Sequence, residues 1–347
     1  MRNNIAIIGA GITGIMTALS CARKGARVDL YDMGEIPNQS NLSWAHGRLW
    51  RGIHDRNELL QRLAFRSQCY WNEMIEFSDG YFGRHTKSIR MVNDELCESL
   101  EKTYHQYNIQ YEINGKTALL QESIIKFDTD KKNAFIGFDA ILLNAKEIYS
   151  HLCSEAINHN MISLHRNTII NINQVNERGE IFIEKETKKY SKIIITTGTP
   201  LYKTASADCV KKFQVHVDVH IDDGLRNVIR PMLDMGDDNV SWCVPSPNNK
   251  VLKLSASNFA YDEKPNEIKV THIREHLLSL LKINYSVVDT HVSIYYEKER
   301  EIRQSSPYWS FTNDNDIVTV SSCDASLFKA SPALSEEISN YVIHGDK

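Results

Sequence analysis

The run Ile5-Ala6-Ile7-Ile8-Gly9-Ala10-Gly11-Ile12-Thr13-Gly14 opens a unit that continues through Ile15-Met16-Thr17-Ala18-Leu19-Ser20, passes Gly25 and closes with Arg27-Val28-Asp29-Leu30-Tyr31-Asp32. The apolar residues before the first glycine read as a buried strand, the spacing after Gly14 reads as a helix, and Arg27 to Tyr31 reads as a second short strand. Together with the terminal acid they make a βαβ dinucleotide fingerprint. Gly9 permits the tight turn out of the strand, Gly11 lets the backbone approach a pyrophosphate, and Gly14 lets the helix lie close against the sheet. The helix amino terminus adds N–H donors and the positive end of its dipole. Asp32 stands where a carboxylate accepts hydrogen bonds from a ribose 2′-hydroxyl and repels a 2′-phosphate, which disfavours NADP.

The rest of the composition is that of an ordinary globular enzyme. A chain of 347 residues has room for about two domains, and 42% hydrophobic with 24% charged residues is typical of such chains. The net charge of -4 argues against a nucleic-acid partner recognised by bulk charge. Seven cysteines show neither C-x-x-C spacing nor a paired pattern, so no zinc site or disulfide framework is expected and a reducing cytoplasm is. Arg2 before an apolar stretch imitates a signal peptide, but the glycine fingerprint accounts for that apolarity. No apolar run approaches the roughly eighteen residues of a membrane span.

Beyond Asp32 a polar loop, Glu35 to Ser43, leads to Trp44-Ala45-His46-Gly47-Arg48-Leu49-Trp50-Arg51-Gly52 instead of the strand a nicotinamide dehydrogenase would give. A helix is predicted from about Asn57 to Phe77, with Leu59, Leu60, Leu63, Tyr70, Trp71 and Met74 on its apolar face. Further helices are expected near Glu95 to Tyr107, Ala145 to Asn158, Ile268 to Leu281 and from about Pro332 to Ile343. Strands are expected at Ser88 to Val92, Ala134 to Phe138, Ile162 to Leu164, Thr168 to Ile172, Ile181 to Glu184, Phe213 to His220, within Val240 to Ser257, at Thr290 to Tyr296 and at Ile317 to Val320. Lys192-Ile193-Ile194-Ile195-Thr196-Thr197-Gly198 reads as a buried parallel strand able to rejoin the first sheet. The organisation is therefore α/β with α+β character, a Rossmann-type domain (1–85, 140–205 and 297–347) interleaved with a β-sheet substrate-binding domain (86–139 and 206–296).

These features resemble the FAD-dependent amine and amino-acid oxidases, the group of D-amino-acid oxidase, glycine oxidase and monomeric sarcosine oxidase, over nearly the whole length. His46-Gly47-Arg48-Leu49-Trp50-Arg51, with Leu63 to Gln68 and Trp71 after it, is similar to the sarcosine-oxidase loop whose arginines approach the flavin and the substrate carboxylate. Trp242-Cys243-Val244-Pro245 resembles a strand bearing a substrate-side aromatic. Val251-Leu252-Lys253-Leu254 resembles the segment whose lysine activates dioxygen beside the flavin. Ile302-Arg303-Gln304-Ser305-Ser306-Pro307 is similar to the stretch carrying glycine oxidase's carboxylate-binding arginine, and Phe328-Lys329-Ala330-Ser331 to the segment whose lysine pairs with that carboxylate. Where sarcosine oxidase bonds a cysteine to FAD, Glu301 stands here, so a non-covalent FAD is expected.

The resemblance thus implies substrate or dioxygen roles for Lys253, Arg303, Lys329, Trp242 and Arg51. It implies FAD contacts from Gly9, Gly11, Ile12, Thr13, Gly14, Asp32, His46, Gly47, Arg48, Ile170, Thr197, Gly198, Ser322, Leu327, Phe328 and Lys329. Ser322, Ala325 and Leu327 replace the family's glycine-rich turn, so that loop is expected to take another path, leucine being averse to positive φ. Before the resemblance is added, Lys253 reads as a solvated edge lysine, and Arg303 and Lys329 read equally as surface ion-pair partners. His216, Asp218 and His220 share a strand face and read as a polar sheet face in preference to a metal site.

The expected reaction is oxidation of the C–N bond of a small amine or amino acid to an imine, with dioxygen as acceptor and hydrogen peroxide as product. A flavin-dependent dehydrogenase or demethylase using another acceptor, and an FAD-binding protein without turnover, are the alternatives. No nucleic-acid, membrane or metal partner is expected.

Overall fold

The computed structural model of the chain describes residues 4–44, 47–54, 57–115, 125–126, 133–171, 175, 180–183, 186–198, 209–221, 229–248, 250–298, 309–311, 317–320 and 327–345. β1 (Asn4–Ile8), α1 (Ile12–Arg23) and β2 (Arg27–Tyr31) form the opening βαβ unit. Next come β3 (Arg48–Arg51), α2 (Glu58–Phe77), β4 (Gly83–Val92), α3 (Asp94–Gln106), β5 (Tyr111–Gly115), β6 (Asn133–Leu143), α4 (Ala145–Asn158) and β7 (Ile162–His165). A small hairpin, β8 (Glu180–Ile183) and β9 (Glu186–Lys189), precedes β10 (Lys192–Ile195). The second half holds β11 (Cys209–Ile221), β12 (Met232–Asp234), β13 (Ser241–Pro245), β14 (Val251–Ala256), β15 (Ala260–Tyr261), α5 (Glu267–Ser279) and β16 (Tyr285–Lys298). β17 (Trp309–Phe311), β18 (Ile317–Val320) and α6 (Leu327–His344) follow.

Two sheets result. The first, in the order β17-β18-β10-β1-β2-β7, is parallel except for β17. Ile5, Ala6, Ile7, Leu30, Ile193, Ile194, Ile317 and Val318 are buried in it from both faces, which is why these strands read as unbroken apolar runs. One face packs against α1, α2, α4 and α6, and the other against Val175, Ile181 and Tyr190 beside the β8–β9 hairpin. The second sheet runs β15-β11-β14-β13-β12-β4-β6-β3, with β16 paired to β11 and β5 to β6. Val215, Val217, Val219, Leu252, Leu254 and Ala256 point from it into a core with Ile273 and Leu277 of α5. The residues between them, His216, Asp218, Lys253 and Ser255, face the opposite way and are polar.

Two expectations are corrected. Thr168 to Asn171 form no strand; Asn167 and Thr168 instead donate their N–H groups to Gly34 O and Asp32 O, fastening this loop to the end of β2. α6 begins at Leu327, with Pro332 inside it. Leu327 is therefore a buried helical residue and no left-handed turn is asked of it.

Pro332 is tolerated because α2 takes over the hydrogen bonds a proline disturbs. Trp71 Nε1 donates to Lys329 O at 2.7 Å, and Ala333 N donates to Ser67 Oγ at 3.1 Å. The Trp71 and Phe328 rings stack at 5.8 Å beside them. Among the described residues no helix is long and apolar enough to cross a membrane, and Cys21, Cys69, Cys97, Cys153 and Cys243 are free thiols.

Candidate active site

The fingerprint turn is built by close approach. Gly9 has φ +104°, and a Cβ there would lie 2.7 Å from Thr196 O and 2.9 Å from Thr197 Cα, so the ends of β1 and β10 touch only through a glycine. A Cβ on Gly14 would lie 1.9 Å from Gly9 O. Thr196 Oγ1 donates to Gly9 O at 2.7 Å, and Gly198, next in this turn, has φ +75°. Gly11 is different, for a Cβ there would meet only Ser43 Oγ, at 3.8 Å. Among the described residues no protein group requires glycine at 11, and the open space beside this helix N-cap fits the phosphate cradle of a dinucleotide. Ser43 Oγ accepts Ile12 N–H at 3.0 Å, and Tyr149 OH donates to Ala10 O at 2.6 Å, bracing the turn.

Asp32 is buried and does structural work. Its Oδ2 accepts Ala10 N–H at 2.8 Å, while Oδ1 accepts Gly34 N–H at 2.9 Å and Asn38 Nδ2 at 3.0 Å. It thereby ties the phosphate turn to the loop after β2, with acceptor capacity left for a ribose hydroxyl. Ile170 puts its side chain against the core on the other side of the sheet, and the loop carrying it is the one bonded to Asp32 and Gly34. Thr13 reaches the last helix, with Oγ1 at 3.2 Å from Ser331 Oγ, and its carbonyl accepts from Ser335 Oγ at 3.3 Å.

A second cluster joins β3 to α6. His54 is 6% exposed, and its Nε2 lies 3.2 Å from Arg51 O. Because a carbonyl only accepts, that nitrogen carries the proton, and the neutral ring then keeps a lone pair on Nδ1. Burial first, then the charges of Lys329 and Arg51, hold this histidine well below the ordinary pKa. The loop is pinned by Asp139, whose Oδ2 accepts Gly52 N–H and Ile53 N–H at 2.9 Å each and whose Oδ1 accepts Tyr104 OH at 2.6 Å. The charges at 51 and 329 thus both act on one buried neutral imidazole.

The third cluster is the polar face of the large sheet. Cross-strand register places Lys253 opposite Asp218 on one side and Val244 on the other. Lys253 is 8% and Asp218 2% exposed. Burial and then Arg48 push the Lys253 amine down to about 8, and Asp218 opposes them. His216 is also buried, held well below its usual pKa by desolvation and then by Lys253, His291 and Arg48. Its Nε2 lies 2.7 Å from Ser293 Oγ, and Trp242 stands edge-on to it with centroids 5.8 Å apart. Gly47, at the mouth of β3, passes close to Pro245, where a Cβ would come within 3.3 Å of the carbonyl.

Of the residues singled out in the sequence, Gly9, Gly11, Ile12, Thr13, Gly14, Asp32, Thr197 and Gly198 gather at the phosphate turn. The charges of Lys329 and Arg51 both act on His54, Phe328 beside Lys329 packs on Trp71, and the charge of Arg48 acts on Lys253 and on His216, whose ring stands against Trp242. His46, Arg303 and Ser322 lie outside the described residues. Sequence reading gave no role to His54, Asp139, Ser43 or Tyr149, and it took Asp218 only as part of a polar strand face. The signal for Asp218 was the alternation of His216, Asp218 and His220 with valines; for the other four, burial alone reveals them. Of that polar row His220 is exposed, and only His216 and Asp218 are covered.

A phosphate cradle on a βαβ unit, accompanied by a sheet whose covered face carries a buried lysine beside a neutral imidazole, defines a dinucleotide-dependent oxidoreductase. The chain belongs to the FAD-dependent oxidoreductase family: the DAO family model, so described, matches residues 4–339. When bound, FAD would be held by the turn from Gly9 to Gly14 and by Asp32, and it would supply the redox chemistry. L-proline dehydrogenase from P. horikoshii superposes with a TM-score of 0.81 at 14% identity, covering 100% of this chain and 94% of that one. NikD, an amino acid oxidase of nikkomycin biosynthesis, gives 0.79 at 12% identity over 100% and 95%. Glycine oxidase from Bacillus cereus gives 0.75 at 12% over 100% and 96%. At these identities the likeness is one of fold. An FAD-dependent monooxygenase of Aspergillus terreus is 32% identical over 101 residues, 28% of this chain and 23% of that protein.

Proposed function

We propose that the protein oxidises the C–N bond of a small amine or amino acid bearing a carboxylate to the imine, passing the two electrons through FAD to dioxygen and giving hydrogen peroxide. The observation that carries this reading is buried His54, whose Nε2 lies against Arg51 O and which is held low by burial and then by the charges of Lys329 and Arg51. Cations brought together in a covered site are stabilised by an anion between them, and arginine adds a planar fork suited to a carboxylate. His54, neutral and with a lone pair on Nδ1, offers an acceptor for an amine N–H beside that carboxylate. Lys253 supplies a preorganised charge on the other covered cluster, where negative charge develops as dioxygen is reduced. The fold neighbours support the substrate class, since proline dehydrogenase, NikD and glycine oxidase are by name enzymes of amino acids.

The FAD is read as non-covalent, because in sequence Glu301 is the nearest match to the attachment cysteine of sarcosine oxidase. Residues 1–85, 140–205 and 297–347 are read as the FAD-binding domain, a division supported by the first sheet, whose six strands all fall within it. The free thiols support a reducing cytoplasm as the compartment. A second reading, a dehydrogenase with another acceptor, draws on the likeness to L-proline dehydrogenase.

The test begins with the visible spectrum of the purified protein under anaerobic addition of primary and secondary amino acids. Bleaching of the yellow flavin is expected, with peroxide released on admitting air, and acid precipitation should leave the flavin in the supernatant. Bleaching without peroxide selects the dehydrogenase reading; no bleaching by any amino acid removes both. Within the oxidase reading, Lys253→Met should leave bleaching nearly unchanged and slow the reaction with dioxygen.

A further inference from the structure

Lys253 and Asp218 sit directly opposite one another on the antiparallel strands β14 and β11. Residues so paired project from the same face with Cβ atoms about 4.5 to 5.5 Å apart. Their flanking neighbours Leu252, Leu254, Val217 and Val219 are fully buried on the other face, so the pair has no alternative orientation. Both side chains are covered, and Asp218 Oδ1 has no hydrogen-bond partner among the described residues. A buried carboxylate left with an unsatisfied oxygen is costly unless a neighbouring cation offsets its charge.

The charged and titratable groups around the amine define what Asp218 must do. Arg48 approaches from β3 and repels the ammonium. His216, on β11, is neutral, and contributes no compensating charge. Across β16, Asp289 lies opposite Asp218 in register, but its Oδ2 is engaged by His291 Nδ1 at 3.1 Å. Asp218 is the covered carboxylate aligned with the amine.

We propose that Asp218 is the positioning counter-charge of Lys253, holding the buried amine in its ammonium form at neutral pH so that a fixed cation is present on this face of the sheet. The proposal rests on the reading of Lys253 as the cation used with dioxygen. The direction of the lysine's titration agrees with it: desolvation and Arg48 push the amine down, and Asp218 pulls it up.

The test is a titration of the flavin-loaded protein labelled with ε-13C lysine, the Lys253 signal being identified by its loss in Lys253→Met. Asp218→Asn should lower the Lys253 midpoint by roughly one to two pH units, and Asp218→Glu should return it most of the way. An unchanged midpoint in folded Asp218→Asn overturns the proposal. Should Asp218→Asn prove too unstable to titrate, denaturation of the two single variants and the double variant decides instead. The loss caused by Asp218→Asn is expected to shrink or vanish when Lys253 is already Met, whereas strictly additive losses overturn the pairing. If Lys253→Met reacts with dioxygen as fast as the parent while the midpoint still moves in Asp218→Asn, the dioxygen role of Lys253 fails and the charge pairing stands.

Discussion

An ammonium group set among Arg48, the neutral ring of His216 and the half-buried indole of Trp242 works against the stability of the fold that holds it. Lys253 has its amine lowered from 10.5 to about 8, a depression worth on the order of 3 kcal/mol against folding whenever the group is charged. The sign follows from proton counting. Between about pH 8 and 10.5 the unfolded chain binds the proton that the folded chain has released, so stability rises with pH through that window. Lys253→Met is therefore expected to raise stability by about 2 to 4 kcal/mol at neutral pH and to remove the rise at alkaline pH, as measured by denaturant unfolding from pH 7 to 10. A lower midpoint in Lys253→Met would mean that the amine is better compensated than its surroundings indicate. The orientation of Lys253 was legible from Leu252 and Leu254 on either side of it. Its burial was not, because an alternating strand looks the same whether its polar face meets water or another part of the protein.

At the scale of elements, the joint between α2 and α6 decides where Lys329 sits. The sequence signal at Pro332 reads as a helix start, since proline favours the first turn. The helix in fact begins five residues earlier, and the groups that proline disturbs are satisfied by Trp71 and Ser67. No local pattern announces that exchange, because its partners are more than 250 positions apart in the chain. Trp71→Phe keeps the stacking on Phe328 but leaves the Lys329 carbonyl without its indole donor. It should cost about 1 to 3 kcal/mol and weaken carboxylate binding along with stability, both measurable on one preparation. If stability falls while inhibitor affinity is untouched, the joint supports the fold without setting the lysine. By contrast, the βαβ unit was legible in full, since every contact that makes Gly9 and Gly14 obligatory comes from the turn itself or from the β10 strand already readable in Lys192 to Gly198.

At the scale of the whole molecule, the site is made by closing the chain on itself. Arg51 belongs to a strand of the large sheet and Lys329 to the last helix, which is fastened to α1 through Thr13, Ser331 and Ser335. If a substrate carboxylate lies between these two cations, removing either should weaken a small carboxylate inhibitor about thirtyfold to several thousandfold, the equivalent of roughly 2 to 5 kcal/mol. Arg51→Lys should already be damaging, since it keeps the charge and loses the fork. The pH dependence gives an independent reading. Free His54 is held below 6.5 by burial and by the charges of Lys329 and Arg51; an anion that offsets those charges raises its pKa, so binding is coupled to proton uptake. Affinity for the inhibitor should therefore strengthen toward acid pH, and His54→Asn should flatten that slope while leaving neutral-pH affinity near the parent's. The flavin spectrum reports both measurements. If Arg51→Ala and Lys329→Ala bind the inhibitor as tightly as the parent at every pH, the carboxylate is held elsewhere, and Arg303 and Arg48 are the residues to change next.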